Sequence, residues 1–340
     1  DLVRSRGLGD VYKRQAFTTV APDFTVSGLW RIYPDGTGLQ RLVSDADFIS
    51  MASEEGALGT GPYHWQFVPG THVLAFNTRL FFEGPGLLIQ DDIRHLDLDS
   101  GTLTTFLAVG EGGNFYYSPD GSQIAFSTAQ SVNLIDADGS NRQEDLITFP
   151  FINTASEYAF YPVPVWKPDS NAFSVIIPPV DPFSDDPGNP FTAYVVRSDG
   201  VATPFGPFLG MLSHMEAGEK IAPDGSAIAF YESSGSGMDL FIADLDGPDI
   251  PYDNNVTSFK GWAPDSSYFI YQTTSGEMWA GEIGTEPVLI DGSGGPGDLI
   301  FLQDGRFVYA SGTFGSFSIR LGTLGGGSVL VAAPTADFPI

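Results

Sequence analysis

The stretch that decides the fold is YYSPDGSQIAFST at residues 116–128. Related phrases recur as QFVPGTHVLAFNT (66–78), VWKPDSNAFSVII (165–177), KIAPDGSAIAFYE (220–232), GWAPDSSYFIYQT (261–273) and IFLQDGRFVYAS (300–311). The proline position of the phrase falls at 69, 119, 168, 223, 264 and 303, so the copies follow one another at intervals of 50, 49, 55, 41 and 39 residues. Recurrence at such intervals indicates a chain built from similar structural units.

Each copy has the pattern of a β-hairpin. Tyr117, two residues before the proline, ends one strand; the proline presets φ for a turn, the aspartate caps it, and the glycine accepts a positive φ. Ile124 and Phe126 then alternate along a second strand with one buried face. A later phrase, SVNLIDADGSNRQEDL at 131–146, predicts another hairpin around an Asp/Gly turn. Each repeat is therefore predicted to contain four antiparallel strands.

Four strands in a repeat of this length are typical of a propeller blade. The sequence predicts an all-β fold, a single β-propeller of about seven four-stranded antiparallel blades, with six to eight compatible with the spacing. The predicted blades are 16–48, 60–110, 112–150, 157–207, 215–252, 255–292 and 297–334, followed by a C-terminal tail at 335–340. The first blade is expected to lack its inner strand, because no turn phrase precedes AFTTV. The best helix candidate, 44–59, is short.

The phrases SPDG (118–121) and DADG (136–139) resemble the repeat of TolB-type β-propellers, in which SPDG precedes a strand and a D-x-DG turn follows later. The resemblance covers nearly all of 16–334. It implies a periplasmic or extracellular protein of the bacterial cell envelope, with a ligand or partner at the mouth of a central channel. Propellers of this type are scaffolds, binding modules and peptidase lids, so the fold alone does not decide the function.

Composition excludes several classes of protein. The chain has 42 acidic and 15 basic residues, and its net charge of −27 is unsuited to nucleic acid, which requires a basic surface. There are no cysteines, so thiolate zinc sites, iron–sulfur clusters and cysteine nucleophiles are excluded. No apolar run reaches the 18 or more residues of a membrane span. We therefore expect no nucleic-acid partner and no membrane span in this sequence.

Residues 1–15 interrupt the acidic pattern with a basic cluster of Arg4, Arg6, Lys13 and Arg14. A secretory signal would continue with an apolar run, which is not found here. The string DVYKRQ at 10–15 resembles the translation of a sequencing-library transposon end. We therefore interpret 1–15 as a non-native segment fused to a truncated reading frame of metagenomic origin.

Catalytic motifs give no support for an enzyme. The sequence has neither a G-x-S-x-G elbow nor a G-x-x-x-x-G-K-[ST] loop. A pair of carboxylates for glycoside chemistry would come from different blades, so sequence spacing cannot reveal it. We expect a non-catalytic, monomeric binding or scaffold module without a cofactor, whose partner is a protein, a small molecule or a glycan. The alternatives are a hydrolase or lyase acting on carbohydrate or peptide, and a regulatory domain of a larger protein.

Two long insertions interrupt predicted blades. DPFSDDPGNP at 181–190 carries candidate metal ligands, although prolines and acids also suit a solvated loop. RLFFEGPGLLIQDDI at 79–93 presents an apolar tip, for which we favour burial over a partner surface. The candidate metal ligands are Asp181, Asp185 and Asp186, and the residues of the apolar tip are Phe81, Phe82, Leu87 and Leu88. DADGSN at 136–141 lacks the spacing of an EF-hand and is predicted to be a hairpin turn.

Candidate ligand-binding residues come from the position just before each innermost strand, which would face the channel mouth. The alternative for each is ordinary packing at the end of a strand. The candidates are His64, Asn114, Glu219, Lys260 and Asp298.

Overall fold

The computed structural model describes residues 15–20, 26–33, 35–54, 57–82, 88–156, 158–183, 190–208, 220–233, 238–244, 250–292, 299–302, 304–313, 316–325 and 327–332. They form two units, which are described separately: unit 1 is Asp1–Ala172 with Val196–Ala202, and unit 2 is Phe173–Val195 with Thr203–Ile340. In the described ranges, no helix has the length and apolar character needed to cross a membrane.

Three sheets lie wholly within unit 1. Their strand orders are β1-β2-β3, then β4-β5-β7-β8 with β6 paired to β5, and then β12-β11-β10-β9. Their strands are β1 (Gln15–Val20), β2 (Val26–Ile32), β3 (Gln40–Val43), β4 (Gly59–Phe67), β5 (Val73–Phe81), β6 (Leu88–Ile89), β7 (Ile93–Asp97), β8 (Leu103–Leu107), β9 (Asn114–Tyr117), β10 (Gln123–Ser127), β11 (Ser131–Asp136) and β12 (Gln143–Thr148). Neighbouring strands run antiparallel, as in the hairpin of β9 and β10.

The remaining strands form three further sheets, with orders β13-β14-β15-β16, β17-β18-β19-β20-β21-β22 and β23-β24-β25-β26. The division between the units passes through the first of these sheets. The strands are β13 (Val165–Trp166), β14 (Ala172–Ile177), β15 (Phe191–Arg197), β16 (Ala202–Phe208), β17 (Ala227–Ser233), β18 (Met238–Asp244), β19 (Ile250–Trp262), β20 (Phe269–Thr273), β21 (Met278–Gly281), β22 (Val288–Asp291), β23 (Leu299–Phe301), β24 (Phe307–Thr313), β25 (Ser316–Thr323) and β26 (Gly327–Ala332).

The prediction of about seven blades is wrong. Five of the sheets have the four or more strands of a blade, and the sheet of β1–β3 has three. The count fails because β19 runs through 13 residues without a break. Residues 250–256 pair with β18, and residues 256–262 pair with β20, so two sequence repeats share one sheet.

The turn of the repeat forms as its residues predict. Gly121 has a φ of 73°, and its N–H donates to the Ser118 carbonyl oxygen at 2.8 Å. The Asp120 carboxylate accepts from the Ser118 hydroxyl at 2.6 Å and from the Ser122 N–H at 3.0 Å. These local bonds fix the hairpin that joins β9 to β10.

Two copies of the turn carry serine at a position where three others carry glycine. Ser170 and Ser266 both have a φ of 62°, a conformation that costs a residue with a side chain free energy. The Ser170 hydroxyl accepts from the Asp120 N–H at 3.1 Å, and the Ser266 hydroxyl accepts from the Asp224 N–H at 2.9 Å. Each serine thus bonds the turn of the preceding repeat, which offsets the strain at its own turn.

Tryptophan makes a second link between repeats. Trp166 Nε1 donates to the Tyr116 carbonyl oxygen at 2.8 Å, and Trp262 Nε1 donates to the Lys220 carbonyl oxygen at 3.0 Å. Both tryptophans stand two residues before the turn proline, so the same position of the repeat performs the same task in each unit.

The helix α1 (Asp45–Ser50) follows the first sheet and has a capping box. The Ser44 hydroxyl accepts from the Asp47 N–H at 3.2 Å, and the Asp47 carboxylate accepts from the Ser44 N–H at 2.8 Å. Phe48 is the buried residue of this helix.

Each unit has its own apolar clusters. One cluster of unit 1 joins α1 to its first two sheets, and another lies between the second and third sheets; unit 2 has an aromatic cluster under β17–β20. The principal members are Leu29, Phe48, Leu74, Phe76 and Leu96 in the first, Ile93, Phe115, Ile124, Phe126 and Ile135 in the second, and Tyr231, Phe259, Trp262, Phe269 and Tyr271 in the third.

Candidate functional site

His64 and Asn114, two of the predicted ligand-binding residues, lie close together in unit 1. The His64 N–H donates to Asn77 Oδ1 at 2.7 Å, and Asn77 Nδ2 donates to Asn114 Oδ1 at 2.8 Å. The His64 ring also bonds, through Nε2, the Phe115 carbonyl oxygen at 2.7 Å. Asn77 is fully buried, so this network links β4 and β5 to the start of β9. The contacts seen are those of packing between strands, and a ligand-binding role stays a prediction.

The structure describes one of the three other predicted binding residues. Lys260 lies half-buried on β19 in unit 2. Glu219 and Asp298 lie outside the described residues.

The predicted metal site is described only in part. Asp181 is exposed, and its Oδ1 accepts from the Phe183 N–H at 3.2 Å. Asp185 and Asp186 lie outside the described residues. In the portion of the chain that the structure describes, no group of three or more His, Asp or Glu side chains could hold a metal ion. Metal binding at 181–190 therefore stays a prediction.

Two neighbouring aspartates, which follow β6 in the sequence, form a cluster that was not predicted from the sequence. Asp92 is fully buried and accepts from the Thr78 N–H at 2.7 Å, the Thr78 hydroxyl at 2.9 Å and Arg94 Nε at 2.6 Å. Gln90 Nε2 donates to the same Thr78 hydroxyl oxygen. Because three donors bond its two oxygens, this carboxylate is held in one orientation.

Asp91 has a different environment from its neighbour. It adopts a φ of 49°, is half-buried, and its Oδ1 accepts from the Tyr161 hydroxyl at 2.9 Å. Burial raises the pKa of Asp91 to about 6, although the Tyr161 hydrogen bond opposes the shift and the Asp92 charge adds to it. Burial and the Asp91 carboxylate raise the pKa of Tyr161, so its hydroxyl stays protonated. We call Asp91 and Tyr161 the Asp91 pair.

An arginine surrounded by aromatic rings lies beside the Asp91 pair. The Arg79 guanidinium carbon stands 5.8 Å from the ring centroid of Tyr63 and 4.7 Å from that of Phe81. Tyr158 is within electrostatic range of Arg79, and Tyr63 is within range of both Arg79 and Tyr161. Tyr63 and Tyr158 keep 42% and 47% of their surface exposed. We call Tyr63, Arg79, Phe81 and Tyr158 the Arg79 surface.

Backbone pairing explains the position of Arg79. Arg79 on β5 pairs with Gly61 on β4, and glycine leaves the sheet face open for a long side chain. Tyr63, two residues along β4, points to the same face and meets the guanidinium. Burial lowers the pKa of Arg79, but the group remains a cation at any physiological pH.

The insertion at 79–93 supplies part of this surface. Phe81 and Phe82 are half-buried, Leu88 is exposed, and Leu87 lies outside the described residues. The insertion was singled out for its apolar residues, whereas its first residue, Arg79, is the cation on which the surface depends. Tyr158 and Tyr161 belong to the irregular segment 149–164, which has no repeat phrase to draw attention to it.

The raised pKa of Asp91 predicts a stability that depends on pH. The pKa of Asp91 is higher in the native protein than in the unfolded chain, so the native state binds the proton more tightly between pH 4 and pH 6. The contribution of Asp91 to the free energy of unfolding therefore falls as the pH rises through this window. Asp91→Asn accepts the same Tyr161 hydrogen bond without ionising. At pH 7 we expect D91N to be more stable than the unsubstituted protein by on the order of 2 kcal/mol, and the difference to vanish near pH 4.

Urea denaturation at several pH values measures this difference. Glu144→Gln removes an exposed carboxylate elsewhere in unit 1 and should not change the profile in this window. A constant difference between D91N and the unsubstituted protein from pH 4 to pH 7 would contradict the assignment.

Comparison with solved structures identifies the fold of this chain. Similar solved structures include the β-propeller domain of the Trilobed protease from Pyrococcus furiosus, which is 13% identical, with 80% of this chain and 85% of that one covered and a TM-score of 0.50. Oligogalacturonate lyase in complex with manganese is 13% identical, with 96% and 86% covered and a TM-score of 0.52. A eukaryotic initiation factor is 12% identical, with 98% and 80% covered and a TM-score of 0.55. The fold is a β-propeller. No family model and no curated protein matches the sequence.

The predicted all-β propeller of antiparallel blades is thus confirmed, apart from the number of blades. Among similar structures is TolB from Acinetobacter baumannii, 12% identical, with 80% of this chain and 79% of that one covered. Its TM-score of 0.40 carries no argument about function. Because propellers at such low identity include a lyase, a protease domain and an initiation factor, the function must be argued from the residues of this chain.

Proposed function

We propose that this protein is a non-catalytic binding module, a monomeric β-propeller of the cell envelope or the extracellular space, which binds its partner at the Arg79 surface. The observation that supports the proposal is the position of Arg79, a cation held against aromatic rings at the surface of an otherwise acidic chain. Arginine and tyrosine are the residues that contribute most to binding when they form such surfaces.

The aromatic rings give the surface its affinity. Tyr63 and Tyr158 present large apolar faces with a hydroxyl at the edge, so each can exclude water and still hydrogen-bond a partner. Only two torsion angles of each ring need to be fixed on binding, which keeps the entropy cost low. The rings of Tyr63 and Phe81 hold the Arg79 guanidinium in one orientation, and this prepares it for a ligand.

An array of glycans and peptides, screened with the unsubstituted protein and its variants, tests the proposal. Arg79→Ala and Tyr63→Ala should each weaken the binding of array ligands by at least about tenfold, the loss of one good contact. Arg197→Ala is the matched control, since Arg197 is an exposed arginine of unit 1 paired with Asp199, and it should leave binding unchanged. Circular dichroism confirms that the variants are folded. Binding that survives both substitutions, or no binding to any array member, would refute the proposal.

The Asp91 pair favours one alternative function, a hydrolase or lyase that acts on carbohydrate or peptide. A carboxyl group with a pKa of about 6, bonded to a protonated tyrosine, is suited to proton transfer near neutral pH. Mass spectrometry of array ligands after prolonged incubation with the protein distinguishes the two functions. Products that form with the unsubstituted protein and not with D91N would establish the enzyme and overturn the non-catalytic proposal.

A further inference from the structure

We propose that the ligand of the Arg79 surface is a saccharide bearing a carboxylate, which binds Arg79 through the carboxylate and stacks its sugar rings on Tyr63 and Tyr158. This inference rests on the proposed function, because it names the chemical class of the ligand at the same surface.

The carboxylate is inferred from the hydrogen-bonding state of Arg79. Elsewhere in the described chain, five arginines each bond a carboxylate of the protein: Arg41, Arg94, Arg142, Arg197 and Arg306. Within the described residues Arg79 bonds none, and its buried Nε has no hydrogen-bond partner. A desolvated cation without a counter-charge costs free energy, and a bound anion would offset this cost by lying against the half-buried guanidinium. The planar fork of a guanidinium matches a carboxylate or a phosphate.

The negative charge of the protein favours a carboxylate over a phosphate as the bound anion. The chain carries a net charge of −27, and Asp91 and Asp92 shortly follow β6, whose Ile89 pairs with Arg79. A phosphate with nearly two negative charges is repelled more strongly by this field than a carboxylate with one. We therefore assign the carboxylate to the ligand.

The remainder of the ligand is inferred from the rings. A pyranose has one face of C–H groups and a rim of hydroxyls, and an exposed tyrosine has the same division into apolar face and polar edge. Tyr63 on β4 lies against Arg79, and Tyr158, in the loop 149–164, presents a second exposed ring within electrostatic range of it. Sugar rings next to the carboxylate would each meet one of these aromatic faces.

The Asp91 pair fits a ligand rich in hydroxyl groups. Asp91 Oδ1 accepts from Tyr161, and its carboxyl makes no other hydrogen bond among the described residues. Its half-buried position leaves an oxygen that can accept from a sugar hydroxyl. A saccharide can donate a hydroxyl group to this acceptor, whereas the ionised side chain of an acidic peptide has no hydrogen to donate.

Isothermal titration calorimetry with three probes tests the inference. The probes are a trisaccharide of glucuronic acid, its fully methyl-esterified form, and a triglutamate peptide. We expect the uronate trisaccharide to bind at least about tenfold more tightly than the ester, in which the carboxylate is masked, and more tightly than the peptide. Arg79→Gln should remove this preference, Arg79→Lys should keep part of it, and Arg197→Gln should leave it unchanged.

Tyr63→Phe and Tyr63→Ala test the stacking, since the first variant keeps the ring and only the second should weaken binding. Equal binding of acid and ester, stronger binding of triglutamate, or no binding of the uronate would overturn the inference. These results are distinguishable from failure of the proposed function. If an array ligand of another class depends on Arg79 and Tyr63, the binding surface stands and only the saccharide assignment fails.

Discussion

Replacing Phe269 by alanine is expected to lower the free energy of unfolding by about 3–5 kcal/mol, the range for deleting a fully buried aromatic ring. Phe269 has no exposed surface and lies at the centre of the aromatic cluster of unit 2. Its ring centroid is 4.7 Å from that of Tyr252, 4.9 Å from Trp262 and 5.6 Å from Phe259. All three neighbours lie on β19, which pairs with the strand of Phe269, so they cannot close the cavity without breaking this pairing.

Urea denaturation followed by tryptophan fluorescence measures this loss, because Trp262 contacts the deleted ring. Phe151→Ala removes the same atoms from a residue that is 62% exposed, and it should change stability by less than about 0.5 kcal/mol. Similar losses for the two variants would contradict the described packing of unit 2.

Replacing Asp92 by alanine should destabilise the protein by a comparable amount, about 3–5 kcal/mol. The substitution removes the acceptor of the Thr78 N–H, the Thr78 hydroxyl and Arg94 Nε. The Arg94 side chain is largely buried and would keep its charge without a partner. The penalty comes mainly from this uncompensated cation and less from the lost attraction.

Glu144→Ala is the control for this prediction. It also breaks an arginine–carboxylate pair, that of Glu144 with Arg142, but at an exposed position where such pairs contribute about 1 kcal/mol or less. A double variant, Asp92→Asn with Arg94→Met, removes both charges of the buried pair and should recover part of the stability lost in Asp92→Ala. If Asp92→Ala and Glu144→Ala unfold at the same urea concentration, the buried pair has no special role.

The local structure of the repeat could be predicted from the sequence because it depends on residues close together in the chain. The turn at Ser118–Ser122 follows from the conformational preferences of proline, aspartate and glycine. The role of Ser170 could not be predicted, because its positive φ is supported by the Asp120 N–H, 50 residues away. The number of sheets could not be predicted from the spacing of the repeats either, because the spacing does not show that β19 continues from one repeat into the next.

The predicted binding residues were chosen by their position in the repeat, and none of them belongs to the Arg79 surface or the Asp91 pair. The rule that selected His64 and Asn114 found two residues that meet, but it could not show that Asn77 bonds both. The Arg79 surface includes Tyr158 and the Asp91 pair includes Tyr161, and both tyrosines come from an irregular loop about 80 residues after Arg79. No periodicity relates such residues, and their proximity follows only from the packing of the sheets.

The continuous strand β19 has a consequence for how this protein can change over generations. A whole repeat can be duplicated or deleted at a boundary where one sheet ends and the next begins. Most neighbouring repeats of this chain are separated by such a boundary. Between β17 and β22 there is no such boundary, because a break anywhere within residues 250–262 would divide the strand β19, which pairs with both β18 and β20. These two repeats are therefore inherited as one double module, which can be gained, lost or shuffled only as a pair.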